Sequence, residues 1–300
     1  MKPGQTPCNL SPNIPRKALI SRASPHACRD LNSDARGPGV IISYRHKFIF
    51  MHSRKTAGSS VTALLSRHLG PQDIQLGGWP EAFTSGAGLN RRALLTSLHD
   101  PRMLLRRSFR HMRETGRFEL SPEAVNRIIK RHYQERHGFT HGAHARAAEV
   151  RAFAPEEWET FFKFGIVRNP WSHAVSDYYW RLHVCRNPEV SFREYLLRLQ
   201  DPARPDPEQI RPPLVPNWEI YAIGDEVALD FVGRYERLDE DLAEAGRRIG
   251  LTCNISGIKA KGGIRNARRP IADHYDDETT EIVRQVYARE VAHFGYEPPF

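Results

Sequence analysis

A short apolar run, Phe48-Ile49-Phe50-Met51, breaks off into Lys55-Thr56-Ala57-Gly58-Ser59-Ser60, and this junction constrains the chain more than any other stretch. A buried strand that ends in small and hydroxyl residues and then enters an amphipathic helix is built to hold a phosphate-like anion. N–H groups at the helix start point outward, the helix dipole favours negative charge, and a lysine neutralises it. Val61, Leu64, Leu65 and Leu69 recur at helical spacing, which places the N-cap at Ser59 or Ser60. The pattern is not the nucleotide loop G-x-x-x-x-G-K-[ST], because here the lysine precedes the glycine. That reversal points away from nucleoside triphosphates.

A length of 300 residues allows one large domain or two small ones, and 40% hydrophobic with 26% charged residues is ordinary for a globular chain. The net charge of +9 favours an anionic partner without saying which. Residues 1–39 read as a disordered basic leader: they carry six prolines and no aromatic residue. The folded domain is expected over 40–300. The stretch 77–137 reads as a basic insertion over one edge of the core, arginine-dense from Arg91 to Arg117. No run approaches eighteen apolar residues, so no membrane span is expected. Cys8, Cys28, Cys185 and Cys253 form no C-x-x-C pair, which predicts no disulfide framework and a reducing, cytoplasmic compartment.

Strand and helix signals alternate along the rest of the chain. Ala145–Phe153 and the segment opening at Pro155 read as helices, and Phe162–Val167 reads as a strand. Trp171, Ala174, Val175, Tyr178, Tyr179 and Leu182 then form one stripe of an amphipathic helix. A proline-rich surface loop is expected from Pro202 to Pro216, and short strands at Ile220–Ile223 and Leu229–Val232. Asp239–Ile249 reads as a helix stopped by Gly250, 256–270 as a basic loop, and Asp276 to Phe294 as a last helix ended by Gly295. The alternation predicts an α/β fold with a central parallel sheet and helices on both faces. Ligands of such sheets bind beyond the carboxyl ends of the strands, where both the Lys55 loop and an Arg168-Asn169-Pro170 turn fall.

Arg168, at a strand-to-helix turn, and Ser176, two turns into the following helix, could grip a second phosphate. Lys-Thr-x-Gly-[ST]-[ST] after the first strand, followed later by R-N-P-x-x-x-x-x-S-x-Y, resembles the sulfotransferase superfamily that uses 3′-phosphoadenylyl sulfate. His144-Ala145-Arg146-Ala147-Ala148-Glu149-Val150, Arg234-Tyr235-Glu236 and Phe294-Gly295-Tyr296 resemble its carbohydrate-type branch, in the same order along the chain. The resemblance implies a P-loop-like three-layer α/β fold and sulfuryl transfer to a hydroxyl, on a glycan or glycoconjugate, by in-line displacement.

The resemblance assigns Arg54, Lys55, Thr56, Ala57, Gly58, Ser59 and Ser60 to the 5′-phosphosulfate, and Arg168 and Ser176 to the 3′-phosphate. Arg265, with Lys259, Lys261 and Arg268, would close over the nucleotide. Lys55 would stabilise charge on the leaving phosphate, and His144 would be the base, with His141 as the fallback. The family's usual residues differ at Arg54, commonly proline, and at His173, often arginine or lysine. His132, His137, His141 and His144 lack a cysteine or carboxylate that would complete a zinc site, so no metal is expected. A nucleotide- or polyanion-binding protein of the same fold without catalysis is the alternative. No recognisable nucleic-acid module is present.

Overall fold

The computed structural model describes residues 39–140, 144–212, 215–255 and 269–300. A five-stranded sheet organises the chain, in the order β3-β1-β2-β4-β7. Its strands are β1 (Ile41–Ser43), β2 (Phe48–Met51), β3 (Ile74–Gln75), β4 (Phe162–Val167) and β7 (Phe231–Arg234). β2, β4 and β7 run parallel, with Phe48 opposite Phe162 and Phe164 opposite Phe231. The edge departs from an all-parallel sheet, because β1 pairs antiparallel with both β2 and β3. The four residues between β1 and β2 suffice for a hairpin but not for the crossover that a parallel pair needs.

Alternation along the strands explains the layers. Ile42, Ile49 and Met51 face one core, and Ile41, Phe48 and Phe50 face the other. The second core is closed by Val61, Leu64 and Leu65 of α1 (Gly58–Ser66) and by Leu242, Ala245 and Ile249 of α11 (Leu238–Ile249). Gly250 ends α11 in the left-handed conformation at φ 70°, as its sequence position predicts. Helices on both faces of the sheet give the expected three-layer α/β fold.

The stretch 77–137 carries α2 (Trp79–Thr84), α3 (Arg91–Ser97), α4 (Pro101–Thr115) and α5 (Pro122–His137). α2 packs on α1, and α5 packs on α2, α3 and α4. Buried Trp79, Val125, Ile128 and Ile129 join this group to the first core. Next come α6 (Ala147–Phe153) and α7 (Pro155–Thr160), then α8 (Pro170–Val184) and α9 (Phe192–Gln200).

Some expectations need correction. α8 buries its polar side as well as its apolar stripe, with Ser172, His173, Asp177 and Arg181 all inside. The proline-rich loop is anchored rather than merely superficial: Arg181 donates to the carbonyls of Gln209, Ile210 and Arg211, and Ile210 is fully buried. Residues 220–223 divide between α10 (Trp218–Tyr221) and β5 (Ala222–Ile223), which pairs with β6 (Glu226–Val227). The last helix is two, α12 (Asp277–Val286) and α13 (Ala288–Phe294), broken at Tyr287 with φ −111° and ψ 30°. Cys253 is free and buried. The leader up to residue 38, His141, and the 256–268 part of the basic loop, with Lys259, Lys261, Arg265 and Arg268, lie outside the described residues.

Candidate active site at the carboxyl ends of the parallel strands

Side chains from distant elements, with Thr56 of the loop itself, hold the carbonyls between β2 and α1. His144 Nδ1 lies 3.1 Å from the His52 carbonyl, and Thr56 Oγ1 donates to Ser53 O at 3.0 Å. Asn217 Nδ2 donates to Arg54 O at 3.0 Å and His173 Nε2 approaches it at 3.2 Å, while Arg168 Nη1 donates to Lys55 O at 3.0 Å. Four consecutive carbonyls are thereby fixed, and the backbone turns through left-handed Lys55 (φ 60°) and Ala57 (φ 61°) into α1. Alternating left-handed residues before a helix form the concave nest that takes an anion. Gly58 is required at the first helical position, because a Cβ there would lie 1.6 Å from the buried His52 ring.

The helix therefore starts earlier than Ser59 or Ser60, with Ala57 at the N-cap and no side-chain cap. Strained Ala57 brings its own carbonyl round to accept from Ser60 N at 2.9 Å and Val61 N at 3.2 Å. Ser60 N–H thus faces inward, and the outward donors at the helix start are those of Gly58 and Ser59. The Ser59 and Ser60 side chains are half-buried in the first turn, whereas the Thr56 hydroxyl is buried against Ser53. Thr56 therefore shapes the loop rather than offering its hydroxyl at the mouth.

Lys55 and Arg54, adjacent in sequence, have opposite surroundings. The Lys55 ammonium lies 4.8 Å from the centre of the Trp180 ring on α8. Ser176 stands one turn before Trp180, so Lys55, Ser176 and Trp180 share one side of the helix. Arg54 instead turns into the protein, where both Asp177 oxygens lie 2.6 Å from its Nη2. It is not the site-facing cation expected from its position, because Asp177 is buried and holds it. Tyr195 donates to the same carboxylate at 2.8 Å.

Burial alone would raise the Asp177 carboxyl, but the Arg54 guanidinium reverses this and holds it well below the usual carboxylate range. Burial pushes neighbouring His173 down to about 3, which Asp177 partly opposes and Arg54, Arg168 and Lys55 reinforce. His173 is a neutral structural imidazole. A charged Arg or Lys in its place would meet the Arg54 guanidinium already there.

Arg168 joins the two loops that the sequence could only list together. Besides its bond to Lys55 O, its guanidinium lies 4.1 Å from the centre of the Tyr235 ring, just past β7. Asn169 caps α8, its Oδ1 accepting from Trp171 N and Ser172 N, while its own N–H donates to Glu236 at 2.8 Å. The ends of β2, β4 and β7 are thus tied into one surface.

His144 reaches the same loop from the segment before α6. Its ring stacks on His52 with centroids 4.8 Å apart and 24° between planes. Since the His52 carbonyl can only accept, the neutral imidazole carries its proton on Nδ1 and its lone pair on Nε2.

The sequence model of the sulfotransferase family matches residues 38–297, which span every element of this site. The chain belongs to the sulfotransferase family. A curated relative, an uncharacterized protein of Archaeoglobus fulgidus, is 31% identical over 100 residues, covering 31% of this chain and 72% of the relative. No solved structure matches the chain. Membership makes sulfuryl transfer the general activity, and the loops just described bear the residues available for it. Trp180, Tyr235, Asn217 and Asp177 escaped sequence reasoning as site-shaping groups. Tyr235 and Asp177 had a signal, since they lie within the quoted Arg234-Tyr235-Glu236 and R-N-P-x-x-x-x-x-S-x-Y segments.

Proposed function

We propose that this sulfotransferase moves a sulfuryl group from 3′-phosphoadenylyl sulfate to a hydroxyl of a carbohydrate. The observation that carries this reading is the convergence of Lys55, Arg168 and His144 on one strand-end loop, linked through the carbonyls of His52 and Lys55. The donor set suits a doubly anionic nucleotide. Gly58 and Ser59 N–H with Lys55 would take the 5′-phosphosulfate, and Arg168 with Ser176 the 3′-phosphate. When bound, that co-substrate supplies an activated sulfuryl group on a phosphate leaving group.

The chain's own residues do the rest by position and charge. Lys55 neutralises charge that gathers on the departing phosphate. His144 Nε2 accepts the proton of the attacking hydroxyl, and the Nδ1 bond to His52 O stabilises the imidazolium that forms. The Arg54–Asp177 pair holds the backbone that Lys55 belongs to. A carbohydrate is favoured as acceptor by the branch that the His144–Val150 and Arg234–Glu236 segments resemble.

Calorimetric titration with adenosine 3′,5′-bisphosphate tests the assignment. Wild type should bind, and Arg168→Ala should bind about a hundredfold more weakly, as loss of a charged hydrogen-bond donor implies. His144→Ala should bind as wild type but transfer sulfate about 10²- to 10⁴-fold more slowly. No binding by the wild-type chain would sink the proposal, and an active His144→Ala would move the base elsewhere.

A further inference from the structure

Among the described residues, the large apolar side chains that stand in solvent, Phe300 apart, fall within one short stretch. They are Leu94 and Leu95 of α3, Leu98 at its end, Leu105 and Phe109 of α4, and Phe118 beyond it. Leu105 is 68% exposed, Phe109 60% and Phe118 96%, far more than a folded core helix leaves uncovered. On α4, Arg102, Leu105, Arg106, Phe109, Arg110 and Arg113 recur at three- and four-residue spacing, and all are exposed. They form a single face on which guanidinium groups alternate with apolar side chains.

This face is held outward. Leu104 is buried against the body, and the Asp100 side chain accepts from Met103 N at 2.9 Å and pairs with Arg131 at 2.6 Å. Ser108 Oγ accepts from Ser121 N at 2.9 Å, and His111 meets Glu119 at 3.2 Å. Rotating α4 to hide Leu105 and Phe109 would expose Leu104 and break the contacts to Arg131, Ser121 and Glu119. From Arg91 to Arg117 the chain has eight arginines against Asp100 and Glu114, and Asp100 is already engaged.

A free polyanion would satisfy the arginines and leave Leu105 and Phe109 in water. A surface with hydrocarbon beneath anionic headgroups satisfies both, since arginines keep their heads at phosphate level while apolar neighbours enter the acyl boundary. We propose that the α3–α4 face docks on a membrane surface rich in anionic phospholipid. Leu105, Phe109 and Phe118 enter the boundary, and Arg102, Arg106, Arg110 and Arg113 meet the phosphates. The helix lies in the interface; no helix among the described residues is long and apolar enough to cross a membrane. The docking does not depend on the co-substrate or acceptor.

Flotation of the full chain with lipid vesicles decides it. Binding is expected to vesicles of mixed phosphatidylcholine and phosphatidylglycerol but not to phosphatidylcholine alone. Leu105→Ser/Phe109→Ser keeps every charge and should weaken binding about tenfold or more. Arg106→Gln/Arg110→Gln should weaken it roughly 25-fold, or about fivefold per arginine. Leu105→Trp should add a vesicle-dependent blue shift to the fluorescence, a readout independent of the two destructive variants. No flotation of wild type, no added shift, or full binding by the serine variant would overturn the proposal. So would a wild-type dimer that the serine variant disperses, which would make the face a contact between two copies.

Discussion

At the carboxyl ends of β2 and β4, Arg54 and Arg168 are each tied to other parts of the chain, whereas along α4 Arg102, Arg106, Arg110 and Arg113 stand in solvent beside Leu105 and Phe109. Arg54 meets Asp177 from 123 residues away, and Arg168 bonds Lys55 O and stacks on Tyr235. Buried Arg54 and half-buried Arg168 act through geometry, because a guanidinium drawn out of water needs a fixed partner and so fixes the backbone around it. Exposed arginines act through number, since each is hydrated and screened on its own. The same residue type therefore builds an ordered loop at one place and a diffuse field at the other.

The sharpest way to break this contrast is to remove Asp177. Asp177→Ala leaves the Arg54 guanidinium buried without its carboxylate, and unfolding by urea should show a loss of about 3–5 kcal/mol. A double replacement, Arg54→Met with Asp177→Leu, should recover most of that loss, because the cost arises from the stranded charge rather than from a missing attraction. If Asp177→Ala costs no more than a surface change, the pair does not organise the loop.

This contrast also explains what the sequence disclosed. β2, β4, α8 and α11 were legible because each announces itself locally, by an apolar run or a helical stripe with its cap or stop. The strand-end positions of Lys55 and Arg168 were legible because each follows an apolar run that breaks into a turn and then a helix. Arg54 was misplaced because its partner lies 123 residues away and no local pattern encodes that pairing. The early start of α1 was hidden in the same way, since left-handed Ala57 is a conformation that alanine rarely adopts without outside support. α5 is a different case. Ser121-Pro122 and the repeat of Val125, Ile128, Ile129 and Tyr133 spell a helix, but the surrounding arginines masked the period.

A smaller effect tests whether His173 is neutral support. Its pKa is about 6.5 in an unfolded chain and about 3 when folded, so between those values the unfolded state binds more protons and stability falls as pH drops. Burial holds the Glu290 carboxyl up at about 7, so from about pH 4.5 upward it contributes the opposite slope. Comparing wild type with His173→Gln cancels Glu290 and every other shared group. Between pH 4.5 and 6.5 the stability difference should change by about 2 kcal/mol in favour of wild type at the higher pH. An unchanged difference would mean that His173 is solvated enough to titrate normally.

The smallest expected effect concerns the link between the two regions. α4 is anchored on α5 through the Asp100–Arg131 and Ser108–Ser121 contacts, and the Lys55 loop is anchored on α8 and Asn217. Sites without shared partners behave additively to within about 0.5 kcal/mol. Arg106→Gln/Arg110→Gln should therefore leave the melting midpoint unchanged and the affinity for adenosine 3′,5′-bisphosphate within about twofold of wild type at physiological salt. At low salt a modest fall is expected, because fewer basic groups then attract the anion at long range. A tenfold loss at physiological salt would join the regions: the α4 arginines would belong to the field that holds the nucleotide, and the division between fixed and diffuse charge would fail.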